Sequence, residues 1–153
     1  MSITNEEVKA AQSAWGEALV ALGSTFKESG NYEGLAKDAI SKLYAYESDG
    51  VLFKPTKASA NPFRASAGDA LSYFVATNGK CSEDKGFALQ PWYGVRFENH
   101  GVQIHGDIAL AMGTYYFKSE DNSETRVEYS FGYKKIDGQL KIILHHSSLP
   151  YSE

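Results

Sequence analysis

The chain has 153 residues, 42% of them apolar and 22% charged, a balance that excludes a disordered or fibrous protein and fits one globular domain over residues 1–153. At this length folding buries roughly two-thirds of the unfolded surface, so a core needs no staples. Against 19 Asp and Glu stand 15 Lys and Arg, a formal charge of -4, which offers no electrostatic footprint for nucleic acid.

Thr4 and Glu7 form a capping-box pattern ahead of an apolar stripe at Val8, Ala11, Trp15, Ala18, Leu22 and Phe26. Steps of three and four residues put these on one helix face, and Gly30 is the expected stop. A second helix is expected from about Tyr32 to Tyr46, ended by a turn at Asp49-Gly50. Val51-Leu52-Phe53 reads as a short buried strand ended by Pro55. Asp69 is the expected cap of a third helix running to Ala76, with Ala70, Tyr73 and Phe74 on one side.

The second half reads as antiparallel sheet. Four strands are expected: Trp92–Glu98, Val102–Lys118, Thr125–Ile136 and Leu140–Ser148. Their turns fall at Asn99-His100-Gly101, at the acidic tip from Ser119 to Ser123, and at Asp137-Gly138, a two-residue hairpin signal. Gly94, Gly106 and Gly113 sit within these strands and mark bulges or bends. Helices followed by strands imply α+β, with three N-terminal helices packed on a curved, mainly antiparallel sheet. Both sheet faces carry apolar residues, so a homodimer through the outer face is expected.

No stretch approaches the roughly 20 apolar residues that span a bilayer. The segment from Met1 to Glu7 lacks the basic and apolar regions of a signal peptide. Cys81 is the single cysteine, so no intrachain disulfide can form and a reducing compartment fits. The expected location is cytoplasmic.

Few patterns could carry chemistry. There is no Gly-x-Ser-x-Gly elbow, phosphate loop, Cys-x-x-Cys or His-Glu-x-x-His. The candidate ligands are His100, His105, His145, His146 and Cys81; adjacent histidines on a strand diverge and cannot share one metal without a bulge, and His100 sits in an expected turn, so no metal site is expected. The most unusual string is His145-His146-Ser147-Ser148, closing the last strand. Alternation puts His146 and Ser148 on the face of Ile142 and Leu144, which is expected to meet the helices. On that count His146 and Ser148 are the pocket candidates, and His145 belongs to the outer face. Thr56 and Tyr73 sit where a pocket wants polar groups, though each also fits a purely structural role.

The helix–helix–strand–helix–meander order resembles the NTF2-like cone. Val51 to Thr56, Ala70 to Phe74 and His145-His146-Ser147-Ser148 resemble, more specifically, the iota-class carbonic anhydrases of that superfamily. The resemblance implies a carbonic anhydrase working on carbon dioxide and bicarbonate without a metal cofactor. It implies Thr56, Tyr73, His146 and Ser148 as catalytic residues, with Thr56, Tyr73, Ser148, Phe53 and Phe74 binding substrate. In that reading a neutral His146 orients and deprotonates water, Ser148 and Thr56 donate to the other oxygens, and Phe53 and Phe74 form a dry wall. A rival isomerase or dehydratase would want an inward carboxylate, for which Asp107 and Glu128 are the candidates. A non-catalytic binding or association module is the other alternative.

Overall fold

The computed structural model describes residues 2–153. Helix α1 spans Asn5–Lys27, α2 Tyr32–Leu43 and α3 Ala67–Val75. The strands are β1 Leu52–Lys54, β2 Gly94–His105, β3 Ile108–Lys118, β4 Glu124–Ile136 and β5 Gln139–Ser148. They form one sheet in the order β1-β5-β4-β3-β2, antiparallel except where β1 runs parallel to β5. The α+β expectation holds.

The Thr4–Glu7 capping box forms, and such a cap is worth about 1 kcal/mol. Val8, Trp15, Leu19 and Leu22 of α1 are buried, while Phe26 is exposed. Three local expectations shift. The second helix stops at Leu43, because Tyr44 turns extended and bridges to Ile142. Ser66, not Asp69, caps α3: its side chain accepts the Asp69 N–H. The first strand begins one residue late, at Leu52.

Two sheet expectations fail for one reason, an inserted residue. Asn99-His100-Gly101 is not a turn: β2 runs through it with a bulge, and the hairpin turns at Gly106-Asp107 instead, with Gly106 at φ +64°. Gly113 lies opposite that bulge. A Cβ there would sit 2.1 Å from the Glu98 carbonyl oxygen, so only glycine admits so close an approach. The second inserted residue is Ile143. Tyr133 pairs with Ile142 but Gly132 pairs with Leu144, leaving Ile143 without a partner. From there on, every side chain of β5 is on the opposite face from the one simple alternation assigns.

The core lies between the three helices and the concave face. Tyr115, Phe117, Val127, Tyr129, Phe131 and Tyr133 line that face, each buried, with Trp15, Phe53 and Phe74 above them.

Candidate active site

The bulge at Ile143 decides which half of His145-His146-Ser147-Ser148 enters the cone. His145 and Ser147 are each 1% exposed, while His146 is exposed and Ser148 half-buried. The inward placement expected for His146 and Ser148 is therefore corrected, as is the outer placement of His145. His146 and Ser148 border a depression of about 400 Å³ on the outer face with His100, Thr114 and Glu128. A signal was available in Gly132, a strand glycine where a neighbouring backbone can close in; its Cβ would meet that of Leu144 at 3.0 Å.

The His145 ring is held between aromatic faces. Strand pairing sets Phe53 of β1 and Phe131 of β4 on either side of it. Both stack on the imidazole, with centroids at 4.8 and 4.1 Å. Trp15 approaches edge-on at 5.5 Å. Burial among these rings, and to a lesser degree the neighbouring His146, pushes the His145 pKa down to about 3. The ring is neutral at physiological pH.

That depression has a sign and a window. Unfolded, the imidazole titrates near 6.5, so between about pH 6.5 and 3 the unfolded chain binds the extra proton. The contribution to stability is complete above 6.5 and is lost as pH falls toward 3. Melting temperatures of wild type should decline across that window more steeply than those of His145→Gln. Parallel profiles would show that His145 is not held neutral by the fold.

A run of hydrogen bonds passes through the ring. The Trp15 indole N–H donates to the Tyr44 hydroxyl at 3.0 Å, and that hydroxyl lies 2.8 Å from His145 Nδ1. His145 Nε2 lies 3.0 Å from the Tyr115 hydroxyl, which is 2.5 Å from Ser147 Oγ. Ser147 Oγ is 2.6 Å from Thr56 Oγ1. Thr56, just after β1, is half-buried and brings the run to the edge of the core. Tyr73 of α3 stands beside it: its hydroxyl accepts the Lys57 backbone N–H at 3.2 Å. Burial pushes the Tyr73 and Tyr115 phenols far above their ordinary range, so both keep their protons.

Of the residues expected from sequence, Thr56, Tyr73, Phe53 and Phe74 meet at this site. Phe53 packs on His145, on Phe74 at 5.9 Å and on Tyr73 at 6.1 Å. His145 and Ser147, which alternation had placed on the outer face, join them, and so do Trp15, Tyr44 and Tyr115, which were not read as site residues. A cleft of about 530 Å³ borders Tyr73, lined also by Lys57, Asp84, Lys85 and Phe87.

A family model described as metal-independent carbonic anhydrase matches residues 6–149. The chain belongs to the metal-independent carbonic anhydrase family. A curated member from Nostoc sp. (strain PCC 7120) is 43% identical over 99% of this chain and 76% of its own length. The crystal structure of the iota-carbonic anhydrase from a cyanobacterium, complexed with bicarbonate, is 42% identical with a TM-score of 0.95, over 99% of this chain and 95% of that one. A structure from the NTF2-like family of Streptomyces avermitilis is 15% identical with a TM-score of 0.59, over 96% of each chain. That likeness concerns the fold alone, and it agrees with the cone expected from the element order.

In this carbonic anhydrase-family chain the carboxylates expected of a rival isomerase are elsewhere: Asp107 and Glu128 are both exposed. Among the described residues, no three His, Cys, Asp or Glu side chains gather as a metal site. No helix among them is long and apolar enough to cross a membrane.

Proposed function

We propose that this chain hydrates carbon dioxide reversibly to bicarbonate, a lyase reaction, at the hydroxyls of Thr56, Tyr73 and Ser147 and without a metal ion. The places in the pocket expected of His146 and Ser148 are taken by His145 and Ser147, whose side chains face into the cone. The observation that carries the reading is a run of hydroxyls, Tyr115 to Ser147 at 2.5 Å and Ser147 to Thr56 at 2.6 Å, beside a wall of Phe53 and Phe74. Carbon dioxide is small, linear and apolar and suits such a wall. Bicarbonate is anionic and needs donors.

In the forward reaction a water oxygen bonds to carbon, and one C=O pair moves onto an oxygen. The proton that water loses leaves for solvent through the cleft beside Tyr73. Negative charge grows on the carbon dioxide oxygens as this happens, and preorganised donors stabilise it most at that moment. Tyr73 accepts the Lys57 N–H, so its own hydrogen is free to donate. Binding also supplies proximity: both reactants are held where their collision is productive. That the cyanobacterial relative was crystallised with bicarbonate supports the choice of ligand.

The test is stopped-flow carbon dioxide hydration by protein dialysed against a chelator, with elemental analysis of the same sample. Activity should persist without stoichiometric metal, at a turnover below the about 10⁶ s⁻¹ that zinc-bound hydroxide permits. Loss of activity on chelation, restored by one divalent ion, would refute it.

Two further proposals accompany this reading. Homodimerisation through the outer sheet face is supported by Leu110 and Met112, which are 41% and 57% exposed there. Sedimentation equilibrium reads it directly, and a monomer at micromolar concentration would overturn it. A cytoplasmic location is supported by the lone thiol of Cys81, buried and unpaired. Fractionation of the source cells checks it; recovery of the protein outside the cytoplasm would refute it.

A further inference from the structure

We propose that Trp15 and Tyr44 are positioning residues that lock His145 in the tautomer with its proton on Nε2, so that the imidazole feeds a chain of donors and is not the base that takes the water proton. This rests on the reading of Thr56, Tyr73 and Ser147 as the site of reaction.

The argument begins at a residue with no choice. An indole N–H can only donate. The Tyr44 oxygen, 2% exposed, therefore accepts from Trp15 at 3.0 Å. Its one hydrogen needs an acceptor, and the partner at hand is His145 Nδ1 at 2.8 Å. Were Nδ1 protonated, the Tyr44 oxygen would accept twice and its hydrogen would be stranded in the core, a costly state for a buried donor. Tyr133, another buried phenol of the core, has no hydrogen-bond partner at all and so does not take it. Nδ1 is thus an acceptor.

A neutral imidazole has one ring proton, which must then be on Nε2. It points at the Tyr115 oxygen, 3.0 Å away. Tyr115 in turn donates to Ser147, and Ser147 to Thr56. All links run the same way, from the indole outward. Hydrogen bonds in series polarise one another, so the last hydroxyl is a stronger donor than an isolated threonine. The chain ends where carbon dioxide oxygens gain negative charge.

With Nδ1 already bonded and Nε2 carrying its proton, His145 has no free lone pair toward the reacting water. The residue that looks like a base is instead a link that can be satisfied in one direction only. Trp15 sets that direction from the far side of the core.

Long-range ¹H–¹⁵N NMR of histidine-labelled protein at neutral pH reads the tautomer directly. Wild type should show His145 Nδ1 as the unprotonated nitrogen and Nε2 as the protonated one. The reverse assignment, or a charged ring, would overturn the proposal. Trp15→Phe frees the side of the Tyr44 oxygen that the indole occupied. The Tyr44 hydrogen can then rotate away from Nδ1, and signals of the second tautomer should appear. kcat should fall about tenfold or more, because a histidine in the wrong tautomer is a poor catalytic element, with KM changed much less. A single Nε2–H tautomer with wild-type kcat in a folded Trp15→Phe would refute the role of Trp15. If wild type has the Nε2–H tautomer but Ser147→Ala is fully active, the site assignment fails and the tautomer assignment stands.

Discussion

Ser147→Ala should lower the turnover of carbon dioxide hydration by about 10²-fold, because the Thr56 hydroxyl loses the donor that orients and polarises it toward the developing oxyanion. Ser148→Ala, one residue along, should leave it at the wild-type level. The two serines differ in nothing but the face on which the bulge at Ile143 leaves them. Ser147 touches Tyr115 and Thr56, so its loss also strands the buried Tyr115 hydroxyl and should cost roughly 1–3 kcal/mol of stability. Ser148 is half-buried on the outer face, where substitutions usually change stability by less than about 0.5 kcal/mol. The adjacent histidines should repeat the contrast, with His145→Asn strongly impaired and His146→Asn active. Stopped-flow assays on the four variants, each checked for folding by circular dichroism, decide the matter. Equal losses within either pair would mean that the inward face of β5 has been misassigned.

Asp84→Ala should be the most destabilising single change at the mouth of the site. Arg64 is fully buried, and Asp84 meets it with two hydrogen bonds, of 2.6 and 2.8 Å. The guanidinium also donates to the carbonyls of Asn61 and Asp69. Asp84 accepts from Ser72 at 2.6 Å, and Ser72 in turn accepts the Cys81 N–H. One ion pair therefore ties the loop after β1, the loop after α3 and α3 itself together. Removing the carboxylate strips the buried guanidinium of both its short hydrogen bonds to a carboxylate and leaves it Glu83 alone, at 3.6 Å; breaking a buried pair typically costs about 3–5 kcal/mol. For a chain of this length that is a fall in melting temperature of roughly 6–20 °C. Arg64 lies over the Tyr73 ring at 5.6 Å, so turnover should fall as well. A melting temperature within about 2 °C of wild type would show that the pair contributes little.

Much of the fold was legible from local patterns. The Thr4–Glu7 box and the Asp137-Gly138 turn are short-range features that appear as read, and the α1 stripe is buried at Val8, Trp15 and Leu22 but not at Phe26. Asp137 and Gly138 both take positive φ, as a tight hairpin requires. The inward face of β4, from Val127 to Tyr133, follows from alternation because no residue is inserted there. Thr56 and Tyr73 were flagged by position and by the family resemblance, Phe53 and Phe74 as the apolar wall that carbon dioxide wants, and the fold gathers the four at one place. Register was harder. A bulge shifts a strand by one residue while leaving its composition unchanged, so Asn99-His100-Gly101 read as a turn and His146 read as inward. Gly113 and Gly132 carried the hint in both cases, since a strand glycine marks a close backbone approach.

The sequence by itself determined which residue types close the last strand: two histidines and two serines, with aromatic residues to line the cone. The tertiary structure decided which histidine and which serine enter. That choice rests on Ile143 being left out of the β4–β5 ladder, a pairing between distant strands that no local propensity specifies. It decided also that Trp15 of α1 and Tyr44, just past the end of α2, meet at the same imidazole ring. Direction in a hydrogen-bond chain depends on which donor stands at its end, and only packing brings an indole there.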